Sequence, residues 1–133
     1  MKHILQKHKD SCGPSIIAMV MDIDYDLSLK ICGKYSGDID RNWNDGGIDS
    51  IVLEDVLNAF KIKFHALDYN PKLSTIKSDA ILIVPSMYRK DCCHVVVFDY
   101  RRKQILDPHW PKPIPMNSYK FKNKIYDGYE IER

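Results

Sequence analysis

The sequence predicts an α+β domain in which helices come first and an antiparallel sheet follows. Three observations carry this. Between Ser11 and Phe60 the apolar residues recur at helical spacings of three and four. From Phe60 onward the period drops to two, that of half-buried strands. The links between the later strands are too short for the crossovers that parallel pairing needs, so the strands pair antiparallel. At 133 residues the chain has the usual length of one domain, and 1–133 is read as a single one.

The first helix is predicted from Ser11 to about Tyr25, with Ser11 as cap, Pro14 in the first turn and Ile16, Met19, Val20 and Ile23 on the buried face. A shorter helix follows from about Leu27 to Tyr35, capped by Asp26 or Ser28, with Gly37 just beyond its end. Residues 36–47 are rich in Gly, Asp and Asn and lack a hydrophobic period, which predicts a surface loop bordering a cleft. Asp49 or Ser50 then caps a third helix with Leu53, Val56, Leu57 and Phe60 as its apolar stripe. Ile62, Phe64 and Ala66 alternate as a first strand, and further strands are predicted at Ala80–Val84, Cys93–Asp99, Gln104–Asp107 and Lys124–Ile131. The stretch from Pro108 to Pro115 holds four of the seven prolines and is expected to run extended over the surface.

Composition narrows the function classes. A hydrophobic fraction of 44% and a charged fraction of 29% are those of an ordinary globular protein. With 20 basic and 18 acidic residues, the net charge of +2 gives no field that would gather nucleic acid, and Tyr100-Arg101-Arg102-Lys103 reads as a solvated hairpin tip. The longest apolar runs, Ile81–Val84 and Val95–Phe98, fall far short of the roughly 20 residues of a membrane span. The basic N-terminus lacks the apolar stretch of a signal peptide. Cys12, Cys32, Cys92 and Cys93 show no spacing of a disulfide framework and read as free thiols in a reducing compartment. A cytoplasmic location is therefore expected, with export by a non-classical route left open.

The chemistry starts at Cys12. A thiol becomes a useful nucleophile when its thiolate is stabilised, and a helix N-terminus does this with free N–H groups and the positive end of its dipole. Gly13 follows, where a substrate can approach the backbone closely, and Pro14 costs the first turn no hydrogen bond. The plainer alternative is a small buried cysteine. Gln6 carries an amide able to donate to an oxyanion beside Cys12, or is simply a solvated polar residue. His94 opens the strand Val95–Phe98. If Asp99 to Arg102 forms a four-residue hairpin loop, Phe98 faces Lys103, Val96 faces Ile105 and His94 faces Asp107. Directly opposed residues have Cβ atoms about 4.5 to 5.5 Å apart, close enough for the carboxylate to orient the imidazole.

Other residues admit two readings. Trp43 and Trp110 are loop aromatics that line a cleft or pack half-buried at the domain edge. His8 and His109 flank the candidate catalytic residues, as substrate contacts or surface loop histidines. Cys92 shares a strand face with His94, whereas Cys93 is expected to face the packed side of the sheet. Reading Cys92, Cys93, His94 and His109 as metal ligands meets the objection that strand neighbours point to opposite faces. No cofactor or metal is implied.

Taken together, Gln6-x5-Cys12-Gly13-Pro14, His94 at the head of an apolar strand and Asp107-Pro108 resemble the papain-like peptidases that cleave double-glycine leader peptides from bacteriocin precursors. The segment Asp45-Gly46-Gly47-Ile48 before the third helix is similar to that family's middle region, and the strand Ala80–Val84 with Pro85 to the strand before its histidine. The resemblance implies a papain-like fold with Cys12 as nucleophile, His94 as base and acid, Asp107 as orienter and Gln6 as oxyanion donor. Gly13, Trp43, Gly46, Gly47 and Trp110 are then candidates for substrate binding. It further implies a peptide or protein substrate with small residues before the scissile bond, and association with an export transporter. Two features depart from the pattern: Ser11 stands where the family commonly has Asp, and no membrane or nucleotide-binding region follows. The same triad also serves glutamine deamidation, removal of ubiquitin-like tags and acyl transfer, all through a thioester. A third class is a non-catalytic peptide-binding module.

Overall fold

A computed structural model describes residues 1–87 and 92–132 of the chain. Helix α1 (Cys12–Met21) is shorter than its apolar period suggests, because Asp22 adopts a left-handed conformation (φ 54°) and Ile23 N–H turns back to the Ala18 carbonyl. Aspartate tolerates that conformation better than most residues, so the stop carries little mark in the sequence. Ile23 still packs on the same core after the turn, which is why the period runs past the helix end. Asp24, rather than Asp26 or Ser28, caps α2 (Tyr25–Tyr35) by accepting from Asp26 N–H. Asp49 caps α3 (Ser50–Ala59) by accepting from Val52 N–H at 3.0 Å. Ser11 makes no capping bond: its hydroxyl is engaged by Tyr25 and His8 instead.

The second half folds into strands β1 (Phe64–Ala66), β2 (Ala80–Pro85), β3 (Cys93–Asp99), β4 (Gln104–Leu106), β5 (Ile114–Pro115) and β6 (Asp127–Ile131). They form one sheet in the order β1-β6-β2-β3-β4-β5, every neighbouring pair antiparallel. Two short 3₁₀ turns, Leu73–Thr75 and Met116–Ser118, escape the sequence reading. So does β5, built from the proline-rich stretch expected to run extended over the surface. It lies at the edge, where a proline without an N–H is tolerated. Lys124–Tyr126 precede β6 and are not part of it, although Tyr126 N–H already donates to the Ile83 carbonyl of β2 at 2.9 Å.

The pleat divides the sheet's side chains between two cores. Ile81, Val97, Leu106 and Tyr129 meet Ile16, Ile17 and Val20 of α1 and Leu53, Val56 and Leu57 of α3. On the other face Leu82, Val84, Val96, Phe98 and Ile105 pack with Leu73, Ile76, Tyr119, Phe121 and Ile125. Each fully buried Ile, Leu or Phe contributes about 1.5–3 kcal/mol, so both faces hold the central strands firmly. The head of α1 and the start of β3 meet at one end of this sheet. Among the described residues no helix is long and apolar enough to cross a membrane.

Candidate active site

Cys12 is the first residue of α1, and its thiol is partly exposed. The N–H groups of Cys12 and Gly13 have no backbone acceptor among the described residues, as expected in a first helical turn. His94, the second residue of β3, is buried and hydrogen-bonds through Nε2 to Asp107 Oδ1 at 2.7 Å. The Cys12 side chain lies close enough to act on the same ring. Since Nε2 is taken by Asp107, Nδ1 is the nitrogen left for the thiol. Burial alone would lower the His94 pKa, but the hydrogen bonds and charges of Asp107 and Cys12 outweigh it and raise it to about 9. For Asp107 burial acts upward, and the His94 hydrogen bond and charge together with the His109 N–H bring the net shift down. The Asp107 carboxylate accepts from that N–H at 2.8 Å.

The contact between His94 and Asp107 arises from a register different from the expected one. The hairpin loop is Tyr100–Lys103, not Asp99–Arg102, with Asp99 paired to Gln104 and Phe98 to Ile105. Asp99 instead accepts from Arg102 N–H through Oδ1, and Lys103 closes the turn at φ 53°. Continued past the end of β4, this register sets Asp107 beside Val96, diagonal to His94. A shift of two residues leaves every side chain on its original face, so the carboxylate still reaches the imidazole.

A cleft of about 530 Å³ opens beside the thiol, and Gln6, Cys12, Gly13, Gly47, His94 and His109 are among its lining residues. Gln6 reaches it with its amide already engaged: Nε2 donates to the carbonyls of His8 at 2.9 Å and Lys9 at 3.0 Å. Its Oε1 is buried without a hydrogen-bond partner among the described residues. An oxyanion role thus requires one amide hydrogen to leave its loop partner. Gly13 serves packing first, because a Cβ there would lie 2.6 Å from Ile48 Cγ1. Gly46, at φ 100°, donates its N–H to Asp10 at 2.8 Å and is not among the cleft-lining residues. Gly47 does line it, and there a Cβ would sit 2.9 Å from the Asp10 carbonyl oxygen.

The two tryptophans separate. Trp43 does not line the cleft, contrary to the reading of it as a substrate contact. It is 6% exposed and belongs to the helix-side core, with the Arg41 guanidinium 4.7 Å from its ring centroid. Trp110 is 47% exposed and lines a second cavity of about 210 Å³ that has His94, Asp107 and Tyr119 in its wall. His109 lies edge-on to His94, ring centroids 6.5 Å apart. His8 turns to Tyr25, Nδ1 to Oη 3.0 Å. Cys93 is exposed and lines the cleft together with Cys92, although it is still paired with Pro85 in the sheet. Cys32 is fully buried, and burial pushes its thiol up to about 12. Sequence reasoning missed His3, whose Nε2 lies 2.8 Å from the Asp107 carbonyl oxygen, and Tyr119, a buried phenol raised by burial and by the Asp107 charge. Neither sits in a motif.

No protein-family model and no curated protein matches the chain. Among solved structures, it is similar to the peptidase domain of Streptococcus ComA, a bifunctional ABC transporter involved in a quorum-sensing pathway. The identity is 15%, the match covers 98% of this chain and 96% of that one, and the TM-score is 0.68. Among the described residues, three helices packed on a six-stranded antiparallel sheet, in nearly full-length agreement with that domain, give this chain the α+β fold of a papain-like cysteine peptidase.

Proposed function

We propose that the chain is a cysteine peptidase that uses Cys12, His94 and Asp107 as a triad. The observation that supports this most is the 2.7 Å hydrogen bond from His94 to Asp107, with the Cys12 side chain acting on the same ring from a helix head that borders an open cleft. In this reading His94 takes the thiol proton through Nδ1, and Cys12 Sγ attacks the substrate carbonyl carbon. The carbonyl oxygen becomes an oxyanion facing the free Cys12 N–H. His94 then gives the proton to the leaving amine as the C–N bond breaks, which leaves a thioester on Cys12. A water, deprotonated by His94, attacks the thioester, and the thiol is restored with release of the carboxylic acid. Gln6 joins the oxyanion site when the substrate draws one Nε2 hydrogen away from the His8 or Lys9 carbonyl.

The substrate is proposed to be a peptide with small residues before the scissile bond, on the double-glycine leader pattern. Gly13 and Gly47 border the backbone path and Trp110 lies beyond the His94–Asp107 pair, while Gly46 holds the loop that carries Gly47. Association with an export transporter belongs to the same proposal, since the similar solved domain is part of one. The test is cleavage of a synthetic leader peptide ending in Gly-Gly, followed by mass spectrometry. Cleavage after the second glycine, lost in Cys12→Ala, is the expected result. Cleavage that persists in Cys12→Ala would overturn the triad. Turnover only after bulky aromatic residues would remove the leader-type substrate.

A further inference from the structure

Asp107 lies one residue beyond the end of β4, so no sheet ladder fixes its backbone. What fixes it is local and comes from two directions. The chain's own turn contributes Trp110 N–H to the Asp107 carbonyl at 3.2 Å. The N-terminal segment crosses the same turn and contributes two bonds: His3 Nε2 to the Asp107 carbonyl at 2.8 Å, and Gln6 N–H to the Pro108 carbonyl at 2.8 Å. A carbonyl only accepts, so His3 must carry its hydrogen on Nε2.

We propose that His3 is a positioning residue: by donating from Nε2 to the Asp107 carbonyl, it fixes the backbone from which the Asp107 carboxylate holds His94. The same strap carries Gln6, so one stretch of chain sets both the orienter and the oxyanion candidate. His3 is more than 100 positions from Asp107 along the sequence, at a separation of 104, and its ring bonds to the Asp107 backbone rather than to the carboxylate. A carboxylate displaced by a fraction of an ångström still sits near the ring, but it orients it less well, and misplacement of about 1 Å costs on the order of 10²-fold in rate.

The test measures His94 directly. Cys12, Asp107 and the edge-on His109 face its ring; His94, His109 and Tyr119 act on Asp107. In the intact protein labelled with ¹⁵N-histidine, His94 should titrate near 9 by NMR. His3→Ala should lower that midpoint by roughly half a pH unit and reduce turnover about tenfold through kcat, with KM unchanged. His3→Leu keeps bulk without a donor and should behave like His3→Ala. His3→Gln keeps a donor and should restore the wild-type midpoint. A His94 midpoint unchanged in His3→Leu, or one that His3→Gln fails to restore, overturns the proposal; these two variants decide it even if His3→Ala does not fold. Only the turnover arm rests on the peptidase reading. A shifted His94 midpoint in a protein that cleaves no peptide would retain the positioning role and reject the peptidase.

Discussion

The two halves of the candidate site are built differently. The base half is made by the sheet: His94 belongs to a strand paired with β2 along six positions, and Asp107 follows the neighbouring strand at a fixed diagonal. The nucleophile half is made by a loop wrapped around one side chain from α2. Tyr25 Oη accepts from Lys7 N–H at 3.0 Å, meets His8 Nδ1 at 3.0 Å and meets Ser11 Oγ at 2.7 Å. Ser11 Oγ in turn donates to the His8 carbonyl and accepts from His8 N–H. The hydroxyl inventory closes if Tyr25 donates to Ser11 and accepts from the other two. A strand pair can be anticipated from alternation and a turn; a hub of this kind leaves no periodic trace.

The largest expected effects fall where the halves meet. On the proposed peptidase reading, Cys12→Ala should lower peptide turnover by about 10⁴-fold or more, and His94→Ala by a comparable factor, because neither the proposed nucleophile nor its base is replaceable within a triad. Iodoacetamide separates their roles without any substrate. Cys92 and Cys93 are exposed and Cys32 is fully buried, so access alone would label the first two and spare the third. Cys12 should nonetheless react first at neutral pH, and His94→Ala should slow it toward the rate of Cys92. Peptide mapping of the alkylated protein gives the order. Fast Cys12 labelling that survives His94→Ala would mean that the two halves do not cooperate.

Asp107→Asn tests the sheet-built half on its own. It should reduce kcat by about 10²-fold with little change in KM, less than loss of the nucleophile, since an amide keeps the shape but neither charges nor orients the imidazole in the same way. Tyr25→Phe is the matching cut in the loop-built half. Three partners lose their shared hydroxyl in a residue only 5% exposed, so the expected cost is about 1–3 kcal/mol of stability together with a several-fold fall in kcat. Chemical denaturation and steady-state kinetics measure the two. A Tyr25→Phe protein with unchanged stability and turnover would show that the loop is held by its other contacts.

The difference between the halves also explains which features were legible in the sequence. Strand alternation put His94 and Asp107 on one face, and a hairpin register wrong by two residues did no harm, because an even slip preserves the face. An odd slip would have separated them. Gln6 could be singled out by its spacing from Cys12, but the two carbonyls that occupy its amide come from the backbone of its own loop, on which residue types are silent. Trp43 misled because Gly, Asp and Asn surround it. The loop is polar in composition, yet its one large aromatic plugs the core beneath Arg41. Cys93 misled for the opposite reason: alternation gives the direction of a side chain, but it does not say where the sheet ends and solvent begins.

The smallest effect expected is on stability, and pH isolates it. His94 is raised from 6.5 to about 9 on folding, so the folded state holds its proton more tightly than the unfolded chain. Stability from this source is fully present below pH 6.5 and fades as pH rises through about 9. Asp107 is shifted down, so its share is present above 3.8 and is lost as pH falls through its folded value. The two statements describe one pair and are not added. Ionisation of Cys32 complicates the alkaline side, since its thiol is raised from 9.0 to about 12 and stability falls above pH 9 for that reason as well. That loss is common to wild type and Asp107→Asn and cancels in their difference. The difference in unfolding free energy, measured by urea titration from pH 5 to 9.5, should therefore be about 1–2 kcal/mol in favour of wild type at pH 6 and shrink steadily toward pH 9. A difference that stays constant across this range would mean that Asp107 holds the turn by packing alone, and that the charge on His94 contributes nothing to the fold.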